Sequence, residues 1–127
     1  MDIPHAQYGN VIVLSPVGRI DHSTSDDFRK QLEAPVEDAT SNARPVVFDL
    51  SGVEYISSAG LRCFMLAAKQ AKTHGSRMVV SALQPVVREI FEISRFTLVF
   101  DTFPTVRDAI AEVDPSALPA FDGARGG

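Results

Sequence analysis

The chain has 127 residues, enough for one domain with a real core, and its 45% apolar and 22% charged shares are those of an ordinary globular protein. A net charge of -4 with no basic run argues against a polyanion-binding surface, so no nucleic-acid partner is expected. The single cysteine, Cys63, has no internal partner, the N-terminus lacks a signal-peptide pattern, and no apolar run approaches the ~20 residues of a membrane span. The expectation is a cytoplasmic protein with no membrane insertion.

Residues 11–14, Val-Ile-Val-Leu, are a β-branched run that predicts a strand. Residues 3–8 are its hairpin partner across the Gly9-Asn10 turn. In residues 23–27 three hydroxyls precede two acids, the start signal of a helix whose hydroxyls cap free N–H groups. Phe28 and Leu32 share its inner face, and Pro35 should end or kink it, because proline lacks the interior N–H. Residues 39–44 are polar and read as a loop. Residues 45–50, Pro-Val-Val-Phe-Asp-Leu, form an unalternating apolar run, the mark of a central strand covered on both faces.

After an exit loop through Ser57, a helical period begins at Ser58. Leu61, Phe64, Met65, Ala68 and Ala71 or Lys72 make its buried stripe, and Gly75 suits the left-handed stop. Residues 78–80 predict a strand, and Pro85 opens a helix with Val87, Ile90, Phe91 and Ser94 on one side. Residues 97–100 are a strand candidate, and Pro104 opens a last helix carrying Val106, Ala109, Ile110 and Val113. The order β-β-α-β-α-β-α-β-α implies an α/β fold with a mixed, mostly parallel sheet and crossover helices. Residues 1–113 form the expected domain. Residues 114–127, rich in Pro, Ala and Gly, read as a disordered tail.

One stretch carries chemistry: Asp49-Leu50-Ser51-Gly52-Val53-Glu54-Tyr55-Ile56-Ser57-Ser58-Ala59-Gly60-Leu61. A covered strand runs into a short loop that delivers Ser58 to a helix start, as its cap or beside it. The carboxyl edge of a parallel sheet is where α/β folds place their sites. Ala59 and Gly60 leave little side chain above the serine, so a large partner could reach it. Read from the residues alone, Ser58 is a helix cap, Asp21 a turn or cap residue, and Asp49 a strand-end acid bonding nearby amides. Catalysis is not indicated. Residues 56–60 lack the first glycine of G-x-S-x-G, and no histidine sits in an obvious strand-end position to serve as base. There is no G-x-x-x-x-G-K-[ST] loop, and His5, His22 and His74 lack metal-ligand spacing, so neither cofactor nor metal is expected. Cys63 and the group Phe96, Phe100 and Phe103 read as packing residues.

The same stretch resembles the signature of STAS domains of the bacterial anti-sigma factor antagonist family, roughly D-L-S-x-V-x-y-x-[acid or Ser]-S-[small]-G-L. The likeness runs from about position 11 to 113. Gly18-Arg19-Ile20-Asp21 resembles the family's G-x-[L/I]-D, His74-Gly75-Ser76-Arg77-Met78 its helix-to-strand turn, and residues 85–91 its third helix. The resemblance implies a single STAS domain acting as a switch. An anti-sigma factor with serine kinase activity would phosphorylate Ser58, with Ser57 the alternative acceptor. The unphosphorylated form would bind that anti-sigma factor, and a PP2C-like phosphatase would restore it. The implied partner surface takes in Asp21, His22, Ser23, Thr24, Ser57, Ser58, Ala59, Gly60, Leu61 and Arg62. This chain departs from many relatives in having Ser57 in place of an acid and Ala59 in place of a hydroxyl. The competing reading is a constitutive STAS interaction subunit of a lipid-transport or stress-sensing complex.

Overall fold

The computed structural model describes residues 3–124. In chain order it contains β1 His5–Tyr8, β2 Val11–Leu14, β3 Gly18–Ile20, α1 Ser25–Ser41, β4 Val46–Asp49 and β5 Val53–Ile56. There follow α2 Ser58–Thr73, β6 Met78–Ser81, α3 Pro85–Ile93, β7 Thr102–Phe103, α4 Val106–Val113 and α5 Leu118–Ala124. Short 3-10 turns lie at Phe96–Leu98 and Pro115–Ala117.

The main sheet has the order β1-β2-β4-β6-β7. The β1–β2 hairpin is antiparallel, and every later pairing in the sheet is parallel, as expected of a mixed, mostly parallel α/β fold. Its middle strands are unalternating apolar runs, polar only at their last residues Asp49 and Ser81, because both faces are covered. Ile12, Leu14, Val46, Phe48, Met78 and Val80 face one core cluster, which also holds residues of α1, α2 and α3. Val11, Val13, Val47 and Val79 face the other, closed by Ala109, Ile110 and Phe121 of α4 and α5. Gly75, at φ 71, takes the left-handed turn between α2 and β6 that a side chain would strain.

Four expectations are corrected. Pro35 does not end α1, which runs on to Ser41, and residues 39–41 are helix, not loop. The backbone bond that proline removes is offset by burial of Val36, Ala39 and Thr40, and Thr40 Oγ1 donates to Val36 O at 2.8 Å. The predicted strand at 97–100 is instead a 3-10 turn leading to β7. Phe96 and Phe100 stack with ring centroids 6.0 Å apart, which an extended chain of that register would not allow as readily as a turn. Residues 53–56, within the expected exit loop, are a strand, and residues 18–20, to which the sequence pattern assigns no element, are the strand that pairs with it.

The fourth concerns the tail. Residues 115–124 are helical and packed, because Phe121 is buried edge-on against Tyr8 at 5.0 Å and Ala117 is buried beneath Gly9. Arg107 also holds Asp122 through two bonds, at 3.0 and 3.1 Å. Residues 125–127 of the expected tail lie outside the described residues.

Candidate functional site

The site is built by the two strands that the sequence pattern hides. β3 and β5 pair in parallel as a separate two-stranded sheet, with Arg19 opposite Tyr55 and Ile20 opposite Ile56. The ladder continues one residue further, where Ser57 N donates to Ile20 O at 2.7 Å. Both strands end at that level. The turn at Asp21 and the start of α2 at Ser58 therefore leave the small sheet side by side.

Ser57, not Ser58, caps α2. Its backbone is extended, its Oγ accepts from Gly60 N at 3.2 Å, and its carbonyl accepts from Leu61 N at 2.9 Å. Only 5% of Ser57 is exposed. Ser58 is the first helical residue and is exposed. Two adjacent serines are thus given opposite tasks by one half-turn of backbone.

Gly60 makes the arrangement possible. A Cβ there would meet Ile20 Cγ2 at 2.6 Å and Ile56 Cγ2 at 3.0 Å, so only glycine lets the first turn of α2 settle on the small sheet. Gly60 and Leu61, expected on the contact surface, are buried; they shape it from beneath. Ala59 is half-buried and Arg62 exposed.

The neighbouring turn is rigid for a different reason. Asp21 Oδ1 accepts from Ser23 N at 2.9 Å and from Ser23 Oγ at 2.7 Å. Thr24 Oγ1 accepts from Asp21 N and donates to Arg19 O, so the expected forward cap of α1 is replaced by a backward tie. The Ser23 hydroxyl, followed by its amide, holds the Asp21 carboxyl below its ordinary range, so the turn presents an anion. Arg19 lies 4.6 Å over the Tyr55 ring and 3.8 Å from Asp21, a flanking cation not singled out in the sequence although its motif was. His22 and Ser23 are exposed and Thr24 half-buried.

Of the ten expected contact positions, Asp21, His22, Ser23 and Thr24 share one edge with Ser58, Ala59 and Arg62, while Ser57, Gly60 and Leu61 lie below. Asp49 bonds Ser51 N at 3.0 Å, as its strand-end reading anticipated. Cys63 is buried, its thiol pushed up by desolvation and placed 3.4 Å from Ala59 O. Phe100 is buried and Phe96 and Phe103 pack against the core clusters. His5, His22 and His74 sit on β1, the Asp21 turn and the end of α2. Among the described residues no helix is long and apolar enough to cross a membrane.

The arrangement of β3, β5 and a glycine-seated helix is accompanied by a match of residues 2–109 to the family model described as STAS domain. The chain belongs to the STAS domain family. A Bordetella bronchiseptica protein named as the anti-sigma factor antagonist BtrV is 38% identical over 102 residues, which are 80% of this chain and 84% of that protein. The crystal structure of an anti-sigma factor antagonist from Mycobacterium paratuberculosis has a TM-score of 0.77 and 26% identity, covering 87% of this STAS domain chain and 92% of its own. The Bacillus protein SpoIIAA has the same fold. Its unphosphorylated form gives a TM-score of 0.69 at 17% identity, over 87% of this chain and 95% of its own. Its phosphorylated form gives 0.63 at 15%, over 87% and 98%.

Proposed function

We propose that this STAS domain is a phosphorylation-controlled binding switch, an anti-sigma factor antagonist acting in the cytoplasm. Unphosphorylated, it binds an anti-sigma factor that carries serine kinase activity and so frees a sigma factor. Phosphate on Ser58 releases that partner, and a PP2C-like phosphatase restores the binding form. The observation that carries the reading is the contrast between two serines. Ser58 is exposed at the first position of α2, whereas Ser57 is buried and occupied as its cap. A kinase can reach the first hydroxyl and not the second.

The electrostatics support release rather than unfolding. A phosphate adds about -1.5 to -2 charges and three acceptor oxygens. At the first turn of α2 those oxygens meet free N–H groups and the positive dipole end, worth ~0.3–2 kcal/mol to the fold. The cost falls on a partner packed over Asp21, His22, Ser23, Thr24, Ser58, Ala59 and Arg62, which would desolvate the phosphate beside the Asp21 carboxylate. A coupling of ~1–3 kcal/mol changes affinity by about 5- to 150-fold. The names of the two nearer relatives and the existence of SpoIIAA in both phosphorylation states support the same reading.

Site-resolved phosphate mapping on protein isolated from its own cells, in growth and under stress, tests the proposal. The expected result is phosphate on Ser58 at a level that varies with condition. Ser58→Ala should retain the partner and lose regulation, and Ser58→Glu should lose the partner. Tight partner binding by Ser58→Glu or by the phosphorylated form would overturn the proposal. No phosphate under any condition would favour a constitutive interaction subunit instead.

A further inference from the structure

The stripe on α2 is wider than the core uses. Met65 and Ala68 lie on helical spacing with Leu61, yet both are only half-buried. Beside them the turn after α3 presents Leu98 and Val99, 79% and 49% exposed. These four apolar side chains line one groove, together with the exposed Lys69 and Lys72.

The turn that completes the groove is held rigidly. Arg95 takes a left-handed conformation, φ 60, which is costly for any residue but glycine. Immediately after it, Phe96 and Phe100 stack on each other and pack on Phe91 at 5.8 and 6.3 Å. Those aromatics anchor the segment inward at both ends and leave Leu98 and Val99 facing outward between them. Two aliphatic side chains are thus kept in water by a strained but well-anchored backbone.

The charge in the groove is opposite in sign to that of the chain, whose net charge is -4. Arg77 and Asp101 also line it, but they neutralise each other at 2.7 Å, and Arg77 reaches Glu112 at 3.2 Å as well. Among the described residues neither Lys69 nor Lys72 has an ion-pair partner. The uncompensated charge is therefore positive and sits beside an apolar floor.

We propose that this groove docks an acidic, amphipathic segment of a partner protein. Its apolar side chains would seat among Met65, Ala68, Leu98 and Val99, and its carboxylates would meet Lys69 and Lys72. A concave groove with two free lysines on an acidic protein suits a peptide better than an anionic bilayer, which favours a basic amphipathic face and clustered cations. A second copy of this chain would bring the same lysines toward each other across a two-fold contact. The groove lies on the C-terminal half of α2, away from Ser58, and the proposal does not depend on the switch.

The test is an NMR titration of the isotope-labelled full chain with a synthetic helical peptide of Glu and Leu residues. The same peptide with Lys for Glu, and phosphatidylglycerol vesicles, serve as the comparison probes. The expected result is saturable shifts at Met65, Lys69, Lys72, Leu98 and Val99 with the acidic peptide alone, weakening with salt. Lys69→Glu with Lys72→Glu should reduce affinity by about tenfold or more, ~1.4 kcal/mol. Leu98→Ser, on an exposed side chain, should weaken it without changing the fold. No saturable shifts, shifts centred on Ser58, equal binding of the Lys peptide, or binding of vesicles alone would each overturn the proposal. So would self-association through the groove in sedimentation of the free chain.

Discussion

The five-stranded sheet and the β3–β5 pair are both largely parallel, yet they are buried in different ways. In the first, β2, β4 and β6 are covered on both faces, and their apolar side chains enter the two core clusters alternately. In the second, only Ile20, Val53 and Ile56 point inward, while Arg19 and Glu54 stay in water. Most of the buried strand residues belong to the large sheet. The small one holds few of them but fixes which two loops stand next to each other. On the proposed function, stability and recognition thus fall to different sheets, and substitutions can separate them.

The largest expected effect lies in the core that the large sheet serves. Phe64 is fully buried and packs on Phe28, Phe48, Phe91 and Phe100 at 4.8 to 6.3 Å. Phe64→Ala should cost ~3–5 kcal/mol in urea unfolding. A loss below ~1 kcal/mol would mean that this aromatic cluster is not the centre of the core.

Gly60→Ala comes next and probes the seam between the sheets. The added methyl would press on Ile20 and Ile56, so a cost of ~1–3 kcal/mol is expected, with displacement of the start of α2. Partner binding should fall further than stability, because the same shift moves Ser58. An unfolding midpoint like that of the parent would show that the seam is loose and that the comparison of the two sheets is drawn too sharply.

Ser57→Ala should cost about 1 kcal/mol through the lost cap. Ser58→Ala, at an exposed side chain with no cap to lose, should stay within ~0.5 kcal/mol of the parent. Equal costs for the two would contradict the division between buried cap and exposed hydroxyl.

The smallest effect concerns Asp21, exposed enough that its influence on stability is slight. Its carboxyl is held below its ordinary range, chiefly by the Ser23 hydroxyl. A depressed carboxyl favours the folded state above the unfolded value, and that contribution is lost as pH falls through the folded one. NMR titration should therefore find Asp21 ionising below the ordinary aspartate range, and Ser23→Ala should move it back upward. An Asp21 that titrates in or above that range would remove the ordered anion from the turn.

Much of this was legible in order and much was not, for reasons that can be named. The runs Val-Ile-Val-Leu and Val-Val-Phe announce covered strands because two-sided burial favours unalternating apolar residues. Gly75 announces its turn because a left-handed backbone favours glycine. β3 and β5 give no such signal, since Gly-Arg-Ile and Val-Glu-Tyr-Ile are short and half polar and pair only with each other. Pro35 misleads because its local cost is small against the burial of Val36, Ala39 and Thr40 two turns around it. The tail misleads in the same way: its composition is that of a loose segment, and a single buried Phe121 with its neighbours orders residues 115–124. The site motif could be placed at a helix start, but not resolved into buried cap and exposed hydroxyl, because either serine satisfies the cap rule.

By itself the sequence determined the fold class, the central strands, the helix that begins near Ser58 and the family to which the chain belongs. These rest on local periodicity and on a contiguous motif, which need no knowledge of distant residues. Only the tertiary structure decided that Ser57 is the cap and Ser58 the exposed hydroxyl, that Asp21 stands beside them, and that Leu98 and Val99 complete an uncovered groove with Met65 and Ala68. Each of those depends on a contact between segments far apart in the chain: Ser57 N on Ile20 O, Gly60 against Ile20, Phe96 and Phe100 on Phe91. Exposure is a property of what packs against a residue, and no residue carries that information alone.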